Sequence, residues 1–232
     1  MLIWQGTYQD RLGTEQVEFH NDGSTICVRI RGVDFAGSDF NCLDPNPAQQ
    51  LDCDAFELDL GSLTSCTMQW EIPLTLMAEG QASDGMLQCR LLLAAPSSQH
   101  RNGLEDLHLT LLFGDTRVET HDAHQLFETA LDELHLQLPP QVSVKSCISC
   151  AWSDYNPAGN ALLGGMGCFR ADKDAYRSVR GKSGIFALWS RDTPHVQETW
   201  LCPEYERRGH ESTGYRGPFP FRPPTQATHP TQ

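Results

Sequence analysis

Short runs of alternating or clustered apolar residues fill the first 140 positions of the chain. Residues 16–19, 26–30, 68–72, 87–93 and 107–113 carry the period-two signature of strands with one buried face. Turn formers separate these runs: Asn21-Asp22-Gly23, Gly37-Ser38-Asp39, Ser83-Asp84-Gly85 and Gly114-Asp115. This spacing predicts a sandwich or a curled antiparallel sheet. Pro45 and Pro47 lack the N–H that a central strand must donate, so residues 44–50 are expected to form a loop or a single helical turn.

The period then shifts to that of a helix. Over residues 123–136, and on to Leu138, the apolar positions Leu126, Phe127, Ala130, Leu131, Leu134 and Leu138 share one face. Asp122 stands where an N-cap belongs, and Pro139-Pro140 stops the helix, which is expected to pack on the sheet. His121, His124 and His135 border it and read as solvent-facing imidazoles.

Beyond the prolines the texture is irregular. A strand at 142–145 leads into Cys147-Ile-Ser-Cys150, followed by loops rich in Gly, a helix over 172–179 capped by Asp172, and alternating runs at 185–189 and 196–202. These last two read as paired strands joined by Arg191-Asp-Thr-Pro194. After Glu211, Gly, Pro and Thr indicate an extended or disordered tail, and no internal repeat is visible. The fold class is therefore α+β. An antiparallel β-rich domain with one packed helix (1–140) precedes a zinc-stabilised α+β module (141–210) and a tail (211–232).

Composition fits a folded protein, with 39% hydrophobic residues, 20% charged residues and five Trp in 232. No run approaches the roughly 20 apolar residues of a membrane span, and MLIWQGTYQD lacks a basic start before an apolar core. A cytoplasmic, membrane-free protein is expected. Nine Cys is an odd number in a chain this long, which favours reduced thiols and a metal site over a disulfide scaffold.

Charge divides the chain. Residues 1–140 hold six Arg, no Lys and 22 acidic residues, a net −16, whereas residues 141–232 hold 11 basic and eight acidic residues, a net +3. So acidic a first part repels nucleic acid and anionic membranes, and its macromolecular partner is expected to be a basic protein. The plain alternative is that the acid keeps the domain in solution.

Cys147 and Cys150, two residues apart, can both bind one ion while turn amides donate to the sulfurs. Cys168, beside three glycines, and Cys202, before Pro203, complete a four-thiolate structural zinc site, with His195 the reserve ligand. A thioredoxin-like pair at Cys147 and Cys150 is the competing reading, disfavoured because no βαβ pattern surrounds it. Unrelated buried thiols are another. A closed thiolate site leaves no position for water activation, so the protein is not expected to be a zinc hydrolase. Cys27, Cys42, Cys53, Cys66 and Cys89 lack ligand spacing and read as core or near-surface thiols.

Asp154 and Tyr155, with Gln197 and Glu198, would be drawn together by the same zinc. They form either a polar catalytic or recognition site, or turn hydrogen bonds plus a pairing of Glu198 with Arg170 or Lys173. Basic residues from Arg170 to Lys182, interleaved with Phe169 and Tyr176, offer a nucleic-acid surface, diluted by Asp172 and Asp174. A Cys168-His195-Asp154 nucleophilic arrangement and nucleotide-binding glycine loops find no local support.

The motifs Cys147-x2-Cys150, Ser153-Asp-Tyr-Asn-Pro157, Cys168-Phe-Arg170, Val196-Gln-Glu-Thr199 with Cys202, and Gly214-Tyr-Arg-Gly217 together resemble a bacterial family of uncharacterised function. The resemblance covers residues 143–217 and implies that these motifs form one unit in a bacterial protein; it implies no activity. The expected function is that of a non-enzymatic, zinc-stabilised interaction protein, immunity-like or accessory, binding a basic partner. An enzyme built on Asp154, Tyr155, Gln197 and Glu198, or a nucleic-acid-associated factor, are the alternatives.

Overall fold

In the computed structural model, residues 1–52, 54–95, 105–159, 161–190, 192–209 and 219 are described. Antiparallel strands follow from the start: β1 (Leu2–Asp10), β2 (Gly13–Asn21), β3 (Ile26–Ile30), β4 (Val33–Gly37) and the two-residue β5 (Asp44–Pro45). A small hairpin, β6 (Leu58–Asp59) and β7 (Ser62–Leu63), precedes the long strands β8 (Cys66–Ala78) and β9 (Gln81–Leu93), then β10 (Glu105–Phe113) and β11 (Thr116–Glu119). The main sheet runs β11-β10-β9-β8-β1-β2-β3-β4-β5. It is a single sheet rather than a sandwich. Pro45 lies on its last strand, where no ladder N–H is missed.

β8 shows why the strands form. Cys66, Met68, Trp70, Ile72, Leu74 and Leu76 are buried, while Gln69, Glu71 and Pro73 between them face outward. Gln5, Thr7, Gln88 and Thr110 continue the polar outer face. On the inner face Phe40 stacks on Trp70 with ring centroids 3.9 Å apart, and Phe19 and Phe127 pack against Trp70 from the sides. The helix α1 (Phe127–Gln137) closes this face with Phe127, Ala130, Leu131 and Leu134.

Several expectations need correction. α1 begins five residues after Asp122, without a side-chain cap, because His124 exchanges backbone hydrogen bonds with Leu107 at 2.8 and 2.9 Å and stays extended. Ser83-Asp84-Gly85 is not a turn: β9 runs through it, and the reversal falls at Glu79-Gly80, both at positive φ. A Cβ on Gly85 would lie 2.3 Å from Leu76 Cδ1, so glycine there serves close packing.

After the prolines, β12 (Val142–Lys145) pairs with residues 75–78 of β8, so the sheet continues past Pro140. Ile148, Leu162 and Leu163 belong to the same core. A second sheet follows, β13 (Ser153–Tyr155), β14 (Met166–Cys168) and β15 (His195–Val196), with α2 (Lys173–Ser178) and α3 (Gly181–Leu188) beside it. Residues 185–189, expected as a strand, lie largely in α3, where Ile185, Leu188 and Trp189 pack at helical spacing on Trp152 and Phe169. The expected strand over 196–202 ends at Val196 because its carbonyls turn to other donors: Glu198 O accepts from Ile148 N–H and Trp200 O from Cys147 N–H. The tail beyond Glu211 lies outside the described residues, except Phe219, whose ring packs edge-on against His135. No helix among the described residues is long and apolar enough to cross a membrane.

Trp70 marks the centre of the core. Trp70→Ala is expected to cost about 3–5 kcal/mol in urea unfolding, against under about 0.5 kcal/mol for Leu60→Ala, whose side chain is exposed.

Candidate functional site

Three chain segments bring the four cysteines into one neighbourhood. A 3-10 turn over Cys147–Ser149 is fixed by the Ser149 hydroxyl, which donates to Val144 O at 2.6 Å and accepts from Ser146 N–H at 3.4 Å. It is tied to the Cys202 segment by the hydrogen bond from Cys147 N–H to Trp200 O, 2.7 Å. Strand pairing sets Ser153 opposite Cys168, and Cys168 N–H donates to Pro194 O at 2.8 Å. Cys150 bridges to Arg207 across the last described stretch.

The thiols feel one another. Burial pushes the Cys147 thiol well up, and the nearby charges of Cys150, Cys168 and Cys202 push it further. Burial also raises Cys168, with Cys150 and Cys202 adding to the rise; the Arg170 backbone N–H and guanidinium oppose it. Arg170 also hydrogen-bonds Cys202. Among the described residues no group of three or more His, Cys, Asp or Glu is disposed to hold a metal ion. The donor set nevertheless suits zinc chemically: four reduced thiols, with an N–H and a guanidinium directed at sulfur, are what thiolate ligands require.

His195, the reserve ligand, sits opposite Gly167 on β15, exposed, with its ring against Trp189 at 5.8 Å. Of the other thiols, Cys66 and Cys89 are core, Cys42 is half-buried, Cys27 is exposed, and Cys53 lies outside the described residues.

Asp154, Tyr155, Gln197 and Glu198 are all buried. Asp154 accepts from Tyr155 N–H (3.0 Å) and Tyr176 O–H (2.9 Å). The Arg208 guanidinium donates to Tyr176 Oη at 2.7 Å, to Cys150 O at 3.1 Å and to Ser153 O. Glu198 does not pair with Arg170 or Lys173: its Oε2 accepts from Gly164 N–H at 2.6 Å, while Arg170 meets Glu204 at 3.6 Å on the surface. Asn156 does form the expected turn, accepting from Ala158 N–H.

A second carboxylate answers Glu198 from the other side of the same loop. Asp39, which the sequence presents only as a turn residue, is buried and accepts from Leu163 N–H at 3.0 Å and Phe40 N–H at 2.7 Å. Burial pushes its carboxyl up to about 8 against those two donors, and the charges of Glu198 and Glu105 add to the rise. Residues 163–164 are thus pinned by one acid from the main sheet's side and one from the C-terminal part. Tyr176, Arg208 and Asn21 are likewise partners that no local motif announces.

In the basic stretch, Phe169 and Tyr176 are buried and stacked on each other at 5.0 Å, while Lys173 and Arg177 lie over Trp152. The histidines also depart from expectation. Glu133 receives His121 Nδ1 at 2.7 Å and His124 Nε2 at 2.6 Å. Burial raises its carboxyl, but hydrogen bonds from both histidines outweigh that and hold it at about 2. His135 is half-buried, and that burial lowers it to about 4.

A model of a family of unknown function (DUF6304) matches residues 2–153. The match spans the main sheet and α1 and reaches Cys147 and Cys150; Cys168 and Cys202 lie beyond it. No curated protein and no solved structure matches the chain.

Because Asp39 titrates higher folded than unfolded, its contribution is full below about 4 and is lost as pH rises through about 8. Asp39→Asn sacrifices one acceptor and starts from a lower baseline. Its urea midpoint is expected to change less between pH 5 and pH 8 than the wild type's, by an amount equivalent to about 3–4 kcal/mol.

Proposed function

Because the chain belongs to DUF6304, a family of unknown function that brings no assigned activity with it, we propose a role from the geometry. The protein is a non-enzymatic interaction protein: an acidic sheet domain (1–140) that engages a basic protein partner, and a C-terminal module (141–210) cross-linked by zinc on Cys147, Cys150, Cys168 and Cys202. The observation that supports this reading is that three separate segments carry the four thiols toward one another: the charges of Cys150 and Cys202 act on both Cys147 and Cys168. When bound, zinc supplies a cross-link and no activated water, since thiolates fill every position. Arg170 balances part of the negative charge at Cys168 and Cys202.

The carboxylates nominated for chemistry support a non-catalytic reading. Asp154 and Glu198 are fully buried and spend oxygens on Tyr155, Tyr176 and Gly164 inside the protein. The basic segment offers nucleic acid no stacking platform at Phe169 or Tyr176, whose rings are buried against each other. The net −16 of residues 1–140 supports a basic partner through long-range attraction.

Protein purified without chelator is expected to carry one zinc per chain by elemental analysis. Cys202→Ser is expected to lose most of it, together with on the order of 3 kcal/mol of stability. Metal-free wild-type protein of unchanged stability overturns the zinc reading.

Partner recovery from the native host tests the second half. A basic protein is expected to co-purify at low salt, and to be lost at high salt or when Glu18, Glu71 and Glu119 are replaced by Lys. Recovery insensitive to both changes rules out an electrostatic interface.

A further inference from the structure

The outer face of the main sheet holds a hollow of about 450 Å³ floored by β2, β1, β8, β9 and β10. Strand register lays one row of its side chains across all five strands: Gln16 beside Thr7, Thr7 beside Gln69, Gln69 beside Arg90, and Arg90 beside His108. Glu71, Gln88 and Thr110 form a second row, and Gln5 lines the hollow next to them. Gln16, Gln69 and Arg90 are exposed, so the hollow is open to a ligand from solution.

Arg90 sets the character of this hollow. Arg11, Arg29, Arg31 and Arg117, the other arginines described in residues 1–140, each lie 3.5 Å or less from a carboxylate, that of Glu57, Asp34, Asp10 and Glu119 respectively. Arg90 has no such partner among the described residues, in a domain with 22 acidic side chains. Its cross-strand neighbours are an amide and an imidazole, Gln69 and His108. Glu71, the one acid among the described residues that line the hollow, already accepts from Gln88 Nε2 at 2.9 Å.

The geometry points to a binding site for a small hydroxylated monocarboxylate, of the sugar-acid class, with its carboxylate on the Arg90 guanidinium and its hydroxyls on the surrounding amides and threonines. A guanidinium presents paired N–H groups that match the two oxygens of a carboxylate, and such charge-assisted bonds are roughly twice as strong as neutral ones. Gln5 and Gln88 spend Nε2 on Glu18 and Glu71, which leaves Oε1 of each to accept from a ligand hydroxyl. Thr7, Thr110 and Gln69 add groups that both donate and accept. One guanidinium matches one negative charge, whereas a multiply charged phosphate would meet the net −16 of residues 1–140 with little to offset it. The volume falls within the roughly 300–1,000 Å³ of ligand pockets. The site is separate from the four thiols.

Glucuronate, glucose and acetate, titrated separately into ¹⁵N-labelled full-length protein at constant ionic strength, separate the contributions of the charge and of the hydroxyls. Glucuronate is expected to shift the Arg90 Nε–H signal and the Gln69 and His108 backbone amides saturably, with a Kd below about 5 mM. Glucose and acetate are each expected to bind about tenfold or more weakly. Arg90→Gln is expected to weaken glucuronate about tenfold or more and to leave glucose unchanged. Because Arg90 is exposed, that exchange is expected to leave the main-sheet amide spectrum in place. No saturable shift with glucuronate at about 50 mM, glucuronate binding no tighter than glucose or acetate, or unchanged affinity in Arg90→Gln overturns the inference.

Discussion

The structure depends on one strand having both of its edges occupied. β8 pairs with β9 along all 13 of its residues on one side. On the other it gives residues 67–70 to β1 and residues 75–78 to β12. Strands from before and after Pro140 are therefore hydrogen-bonded to a common rod, and the buried alternation of that rod supplies the core on which Phe40, Phe19 and α1 pack. The change of charge at Pro140 is real in the sequence, but it falls between segments that share this sheet.

From that frame the C-terminal part is positioned by Ile148, Leu162 and Leu163, which enter the main core, and by buried polar groups beside them. The Gly-rich run is held by Asp39 on one side and Glu198 on the other, and Asn21 reaches from β2 to Gln197. Buried acids and amides of this kind are costly unless each is answered, and their partners here are mostly backbone N–H groups in glycine-containing loops. The cost of misplacing one such loop is high, which fixes the relation of the cysteine-bearing segments to the sheet.

The sequence made the regular parts legible and the seam opaque. β3 and β12 appear with the expected bounds because their alternation is undisturbed, and the Pro pair stops α1 as it should. The turn before β9 is hidden in the sequence because Gly85 resembles a turn glycine while serving side-chain packing of Leu76. Residues 185–189 satisfy both periods over so short a run, and only the contacts of Ile185, Leu188 and Trp189 choose the helix. The four cysteines could be nominated from spacing and glycine context. Asp39, Asn21 and Arg208 could not, because their partners lie 124, 176 and up to 58 residues away and no motif couples them.

The partial occupancy of one β8 edge by β12 has a consequence for how the polypeptide tolerates being shortened. A fragment ending at Pro140 would keep the acidic strands and α1 yet uncover the N–H and C=O groups of residues 75–78 beside Leu74 and Leu76. An unpaired apolar edge recruits identical edges from neighbouring molecules, so such a fragment invites self-association even though its net charge opposes it.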